Sequence, residues 1–226
     1  MPTLKSLSEI YARITICDKK CVGVHNDPTS GVIGRSFYCP FDPSDISLLM
    51  VSKNPGQANE EENDIYRPLN GAERVLAHES FVKKCFIGKN NLVTSTYHRN
   101  ILEWVSIILN TEPEHDVVFK KAALTALVKC ESHGEKTDKL SVETIDYCSA
   151  RFLFNEIKMI KPKYLLALGG EAYKFLIRPE VQSRHCLPVG NLYHPSWSNM
   201  VGGVAKYKAD DLIKIKKDYD KACYNQ

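Results

Sequence analysis

The chain has 226 residues and a formal net charge of +3, with 43% hydrophobic and 25% charged residues. A chain of this length can bury a sizeable core, and its composition is typical of a globular protein, so we expect one domain over residues 1–226. No apolar run approaches the roughly 20 residues that a bilayer span requires, which argues against a membrane protein. The first residues lack the apolar stretch of a secretory signal, so we expect a cytoplasmic protein.

The first part of the chain leads into one buried segment. Apolar residues at helical intervals predict a helix over residues 4–15, and a passage rich in Gly, Pro, Asp and Ser over residues 22–44 predicts an irregular arm. Residues 46–52 form an apolar run that predicts a core strand. It ends in Lys53-Asn54-Pro55-Gly56-Gln57, which we call the Asn-Pro-Gly loop. The acidic residues 59–64 that follow predict an exposed loop.

The rest of the chain alternates strand-like and helical patterns. Apolar runs predict strands over residues 91–96, 122–129, 164–168 and, before a loop, at about 192. Helical spacing predicts helices over residues 71–87, 101–109, 142–160, 171–177 and 209–224. This alternation predicts an α/β fold, a three-layer α/β/α sandwich with a central, mostly parallel four-stranded sheet.

The Asn-Pro-Gly loop is expected to hold one polar side chain rigidly at the edge of the sheet. Pro55 biases Asn54 toward an extended backbone, and Gly56 permits the close approach of a ligand. Ligands of open α/β sheets bind at the carboxyl ends of the strands. We therefore predict that Asn54 points into a cleft, the alternative being a local turn formed by Asn before Pro.

Four of the eight cysteines fall into two pairs. Cys17 and Cys21 follow the first predicted helix, Cys130 follows a strand, and Cys148 lies in the next helix. Four thiolates on rigid elements suit either a tetrahedral zinc ion or a 4Fe-4S cluster, and the spacing alone does not separate the two. Disulfides are the rival arrangement for a secreted protein, and the lack of a secretory signal argues against them.

The order of three motifs resembles the uracil-DNA glycosylase superfamily. They are the Asn-Pro-Gly loop after a core strand, the four paired cysteines, and His194-Pro195-Ser196 after a late strand. The cysteine layout is similar to that of the iron-sulfur branch of the family. The resemblance implies a monomeric, monofunctional DNA-repair glycosylase. Such an enzyme flips uracil, or a related deaminated or mismatched base, out of DNA and hydrolyses its N-glycosidic bond.

The resemblance also implies roles for individual residues. Asn54 takes the place of the residue that positions water, and His194 that of the histidine that stabilises the departing base. Ser196 would contact a DNA phosphate, and Trp197 or Met200 would enter the space left by the flipped nucleotide. Further substrate contacts are implied for Lys53, Pro55, Gly56, Gln57, Tyr66, Leu69, Asn70 and Thr125. A structural 4Fe-4S cluster, with zinc as the alternative, would be held by Cys17, Cys21, Cys130 and Cys148.

Three positions depart from the iron-sulfur branch. Lys53 stands where that branch carries an acid, Leu69 where relatives carry a Phe that stacks on uracil, and Ala126 where they carry an Asn that reads the base. Asn54 is unable to take a proton from water, so it would only orient the nucleophile. Candidates to replace the missing contacts are Tyr66 for stacking and Thr125, Asn70 or a backbone amide for base reading.

Two other interpretations stay open at the level of sequence. One is a catalytically weak or inactive iron-sulfur relative that binds nucleic acid, which the departures at Lys53, Leu69 and Ala126 favour. The other is a zinc-stabilised α/β protein that acts on nucleotides or another small ligand. The colour and metal content of the purified protein, together with its activity on damaged DNA, distinguish the three interpretations.

Overall fold

The computed structural model describes residues 6–88, 95–132, 140–196 and 209–224. The strands, in chain order, are β1 (Val24–His25), β2 (Phe37–Tyr38), β3 (Leu48–Ser52), β4 (Ala122–Ala126), β5 (Glu131–Ser132), β6 (Tyr164–Leu168) and β7 (Val189–Leu192). The helices are α1 (Leu7–Thr15), α2 (Glu60–Tyr66), α3 (Gly71–Ile87), α4 (Thr96–Leu109), α5 (His115–Phe119), α6 (Val142–Cys148), α7 (Phe154–Ile160), α8 (Gly170–Leu176), α9 (Pro179–His185) and α10 (Ala209–Tyr224).

The central sheet has the strand order β2-β4-β3-β6-β7. Its middle strand β3 pairs in parallel with both neighbours, so that Met50 lies opposite Leu124 on one side and Leu166 on the other. The predicted α/β class is confirmed, whereas the predicted number of four strands is wrong. The fifth strand, β2, is antiparallel to β4 and only two residues long, too short to show an alternating pattern in the sequence.

Helices cover both faces of the sheet. Alternate residues of β3 point to opposite sides, and Leu49 packs in the core formed with α1, α7 and α8, while Met50 packs in the core formed with α4 and α10. All five residues of β3 are buried, as expected for a central strand covered on both faces. The molecule is therefore the predicted three-layer sandwich.

Several local predictions differ from the structure. Residues 59–64 are not a loop, because α2 begins there, capped by the Asn59 side chain, which accepts a hydrogen bond from the Glu62 backbone at 2.8 Å. Acidic residues in the first turn stabilise the helix, because the N-terminal end of a helix carries a partial positive charge. The sequence did not predict this helix because the segment has little apolar periodicity. The helix predicted over 142–160 forms, but it widens into a π-helix at Ser149–Leu153. Helices α5 and α9 were not predicted.

Two further predictions are limited by what the structure describes. Residues 91–94 of the strand predicted over 91–96 lie outside the described residues, and Thr96 begins helix α4. The predicted loop after Cys130 starts instead as strand β5, which pairs antiparallel with β1, and its continuation over residues 133–139 is outside the described ranges. In the part of the chain described, none of the helices combines the length and apolar character needed to cross a membrane.

Candidate active site

A cleft of about 550 Å³ opens where β3 ends in the Asn-Pro-Gly loop. Two chain segments that follow parallel strands meet in it, one after β3 and one after β7, which is where open α/β sheets bind ligands. The structure thereby brings together six of the residues selected from the sequence: Asn54, Pro55, Gly56, Gln57, His194 and Ser196.

The backbone on both sides of Asn54 is fixed. The extension of β4 fastens the start of the loop, since the Leu127 amide donates to the Ser52 carbonyl at 2.9 Å and the Val128 amide to the Lys53 carbonyl at 3.0 Å. The Asn54 Nδ2 donates to the Pro55 carbonyl at 3.1 Å. Its Oδ1 accepts no hydrogen bond from a described residue. Asn54 therefore offers the cleft a positioned acceptor that can orient water.

His194 is held in one tautomer by its own turn. The Ser196 amide donates to His194 Nδ1 at 3.3 Å, which leaves the proton of the neutral ring on Nε2. Although the residue has an exposed face, the surrounding protein lowers the pKa of His194 by desolvation, so the ring is neutral at physiological pH. Asn100 Nδ2 holds the turn by donating to the Pro195 carbonyl at 2.6 Å. His194 thus offers the cleft an uncharged N–H donor.

Arg35, from the irregular arm, fastens the other end of the Asn-Pro-Gly loop. Its Nη2 donates to the Gly56 carbonyl, its Nη1 lies 2.9 Å from Glu131 Oε2, and its Nε lies 3.1 Å from Glu62 Oε1. Glu131 Oε2 also accepts a hydrogen bond from the Ala58 amide at 2.8 Å. The side chains of Arg35, Glu62 and Glu131 are all buried. Because an unpaired buried charge is strongly destabilising, each of them needs the ion pairs described here.

The family profile of the uracil DNA glycosylase superfamily matches residues 39–212, which is well over half of the chain. The chain belongs to the uracil DNA glycosylase superfamily. The matched range contains the Asn-Pro-Gly loop, His194 and the second cysteine pair, whereas Cys17 and Cys21 precede it. Comparison with curated proteins found no match.

In this member of the superfamily, a glycine lies directly behind His194. Gly169 has φ of 108° and ψ of 156°, a backbone region that is essentially restricted to glycine, and a Cβ there would lie 3.5 Å from the His194 Cβ. We expect Gly169→Ala to lower the free energy of unfolding by about 1–3 kcal/mol, measured by urea denaturation. Gly170→Ala is the matched control, because a Cβ there meets nothing within 4 Å. An equal effect of the two substitutions would contradict the assigned strain.

Two residues predicted to touch the base are buried elsewhere, so these predictions were wrong. The Tyr66 ring has no exposed surface, and its hydroxyl donates to Glu62 Oε1 at 3.2 Å, so it is unable to stack on a base. Thr125 points to the opposite side of the sheet from the cleft, where its Oγ1 donates to Glu156 Oε2 at 2.7 Å. Base reading by Thr125 is incompatible with this orientation.

Three further predicted contacts, Lys53, Leu69 and Asn70, lie outside the cleft lining. Lys53 Nζ pairs with Glu171 Oε2 at 2.9 Å, and Asn70 occupies the N-terminal cap of α3. Leu69 is half-buried next to that cap and does not line the cleft. Trp197 and Met200, the candidates for the space left by the flipped nucleotide, lie outside the described residues. The alternative reading of Asn54 as a local turn residue is compatible with its bond to Pro55, but Asn54 also lines the cleft.

The cleft contains aromatic rings that the sequence analysis did not select. Phe81 from α3 and Tyr97 and His98 from α4 line it, and the Tyr97 ring centroid lies 5.7 Å from that of His194. Phe81 is an apolar residue within a helical pattern, and the sequence gives no reason to separate it from core residues. The pair Tyr97-His98 directly before an apolar helical run was the available signal.

The four paired cysteines lie within electrostatic range of one another. Burial, and then the neighbouring thiols, raise the pKa of Cys130. Burial also raises the pKa of Cys148 to about 11, against the opposing effect of Lys129, whose backbone amide donates to Cys148 Sγ at 3.4 Å. Within the described ranges, no three His, Cys, Asp or Glu side chains are arranged to hold a single metal ion. Four thiols are a donor set that both a zinc ion and a 4Fe-4S cluster accept, but no preformed metal site is present among the described residues.

Proposed function

We propose that the protein is a monofunctional DNA glycosylase. It removes uracil, or a related deaminated or mismatched base, by hydrolysing the N-glycosidic bond of a nucleotide flipped into the cleft. The observation that carries this proposal is the presence in one cleft of a positioned acceptor, Asn54 Oδ1, and a neutral N–H donor, His194 Nε2. Membership of the uracil DNA glycosylase superfamily supports the same reaction class.

The chemistry places opposite demands on the two sides of the cleft. When the bond to C1′ breaks, the sugar gains positive character and the base leaves with the bonding electron pair, so its oxygen becomes negative. The His194 N–H stabilises this charge as it develops, because a positioned donor in a desolvated site binds the anion more tightly than the neutral base. Asn54 Oδ1 orients the attacking water toward C1′. DNA is accordingly the proposed partner.

The proposed substrate class follows from the aromatic rings that line the cleft and from the base-reading amide that the chain lacks. Leu69 and Ala126 do not supply the ring and the amide that relatives use on uracil, but Phe81 and Tyr97 offer ring surfaces in the cleft lining. Stacking of a base on an aromatic ring contributes about 1–3 kcal/mol and is tolerant of base identity. We therefore infer that the protein accepts uracil or a related deaminated base such as hypoxanthine.

The four paired cysteines are proposed to hold a structural 4Fe-4S cluster, with zinc as the alternative metal. Cys17 and Cys21 follow α1, Cys130 follows β4, and Cys148 is the last residue of α6, so a cluster would join the segment after α1 to the central sheet and to α6. When bound, the cluster supplies a covalent cross-link between these elements and no step of the base-removal reaction.

Protein purified without oxygen is expected to be brown, with broad visible absorbance and about four iron atoms per chain. Cys148→Ser should lose most of the iron, because it removes one of four thiolate ligands, whereas Cys186→Ser should retain it, since Cys186 is exposed and is not one of the four proposed ligands. Iron and zinc are measured by elemental analysis. A colourless protein with one zinc per chain would replace the cluster with the zinc alternative.

The glycosylase proposal is tested with labelled DNA that carries one uracil, one hypoxanthine or one mismatched base, in single-stranded and double-stranded form. The protein is supplied in excess, and alkali then breaks the strand at each abasic site. We expect breakage at uracil, hypoxanthine or both. The second candidate function is binding of damaged DNA without catalysis, and the departures at Lys53, Leu69 and Ala126 are the observations that support it. Tight binding without breakage in any substrate would establish that candidate.

A further inference from the structure

Glu62 places a carboxylate in the cleft, although no sequence motif singled it out. Among the described residues that line the cleft, it is the only Asp or Glu. It lies in α2, the helix that follows the Asn-Pro-Gly loop directly, so a short length of chain separates it from Asn54. The group therefore offers the cleft a proton acceptor, which the chemistry described so far lacks.

The two oxygens of Glu62 have different surroundings. Oε1 accepts hydrogen bonds from Arg35 Nε at 3.1 Å and from the Tyr66 hydroxyl at 3.2 Å. Oε2 has no hydrogen bond from any residue that the structure describes. Oε1 thus fixes the carboxylate by its bonds to Arg35 of the irregular arm and Tyr66 of α2, whereas Oε2 is available to a molecule in the cleft.

We propose that Glu62 is a catalytic residue, the general base that takes a proton from the attacking water. This inference rests on the proposed glycosylase function. Asn54 Oδ1 orients the water, and Glu62 Oε2 accepts its proton as the oxygen forms a bond to C1′. The C1′–N bond breaks, its electron pair leaves with the base, and His194 Nε2–H stabilises the resulting anion. Proton and charge are then balanced without any further reactant.

The environment of Glu62 suits this task. Burial raises the pKa of Glu62, and Glu131 raises it further, whereas Arg35 and the hydrogen bond from Tyr66 act in the opposite direction. A base whose pKa is raised toward the working pH accepts a proton more readily than an ordinary surface carboxylate. Because the ionised form is the active one, the rate should rise as pH increases through this raised pKa. The titratable or charged groups that face it are Arg35, Tyr66, His78, Cys85 and Glu131.

The decisive variant is Glu62→Gln. The Gln carbonyl still accepts from Arg35 and Tyr66, so the local structure has a reason to persist, but the side chain is unable to take a proton. We expect the single-turnover rate of base release to fall by about 100-fold or more, with unchanged DNA affinity and with loss of the acid limb of the pH–rate profile. Glu61→Gln is the matched control, since Glu61 lies in the same helix, is exposed and does not line the cleft.

A second variant guards against a purely structural effect. Glu62→Asp keeps a carboxylate at a shorter reach, so it should be slower than the unaltered protein yet retain the acid limb. An unchanged rate in Glu62→Gln would overturn the proposal, and so would a slower Glu62→Gln that keeps the acid limb, because Glu62 would then act only through positioning. Absence of base release by the unaltered protein would overturn the proposed function and this inference together, which separates that failure from the other two.

Discussion

Replacing His194 with alanine is expected to lower the single-turnover rate of base release by about two to three orders of magnitude. The substitution removes the one neutral N–H that the turn at Pro195 and Ser196 directs, and no donor replaces it at the developing negative charge. Because this interaction strengthens only as the bond breaks, DNA affinity should change little. Rates are measured with protein in excess over a labelled strand, and affinity by fluorescence anisotropy.

His194→Asn is the informative companion variant. Its amide can donate a hydrogen bond from a similar position, so we expect it to retain part of the rate that alanine loses. The pKa of His194 is lowered by desolvation, so the neutral ring should persist down to mildly acidic pH, and its titration should not limit the rate at neutral pH. A His194→Ala protein as fast as the unaltered one would remove the histidine from the mechanism.

Replacing Lys129 with methionine is expected to lower the free energy of unfolding by about 3–5 kcal/mol. Lys129 Nζ lies 2.7 Å from Glu156 Oε2, and both side chains are almost completely buried behind the sheet. The hydroxyl of Thr125 bridges the two, while Glu156 Oε1 has no partner within the described residues. Removal of the lysine would leave the buried Glu156 carboxylate without its cation. The loss in folding free energy from an unpaired buried charge is larger than the gain from forming the ion pair.

Two further variants separate the cost of the unpaired Glu156 charge from the cost of lost packing at Lys129. Lys120→Met is the control, because Lys120 is exposed at the turn before β4 and should change stability little. The double variant Lys129→Met with Glu156→Leu should recover much of the loss, since an apolar pair of similar volume removes the uncompensated charge. Urea denaturation gives the free energies. Equal losses in the single and double variants would mean that packing, rather than charge, sets the cost.

Much of the layered fold was predictable because its elements carry strong periodic signals. The helix predicted over 71–87 and the strand predicted over 164–168 have those bounds in the structure. The buried run before Asn54 correctly predicted the central strand, since a strand covered on both faces is apolar at every position. The ordered motifs also identified the loop and the histidine turn that meet in the cleft, because each directly follows such a strand.

Residues of the cleft that come from irregular or helical segments were not predictable in this way. Arg35 belongs to an arm with no period, and its importance comes from contacts with Gly56 and Glu131, which are distant in sequence. Thr125 was assigned to the base because of its place in β4, but the strand turns it toward Glu156 and turns Leu124 toward the cleft. A motif fixes a position along a strand, whereas the direction of the side chain depends on which face the neighbouring helices cover.

The mass of the DNA product tests the central proposal most directly. An oligonucleotide with one uracil or one hypoxanthine, either single-stranded or in a duplex, is incubated with excess protein, and its mass is measured by mass spectrometry before any alkali is added. We expect a strand of full length in which the base is replaced by a hydroxyl group, together with an equal amount of free base. Strands of unchanged mass from both substrates, in single-stranded and duplex form, would contradict it.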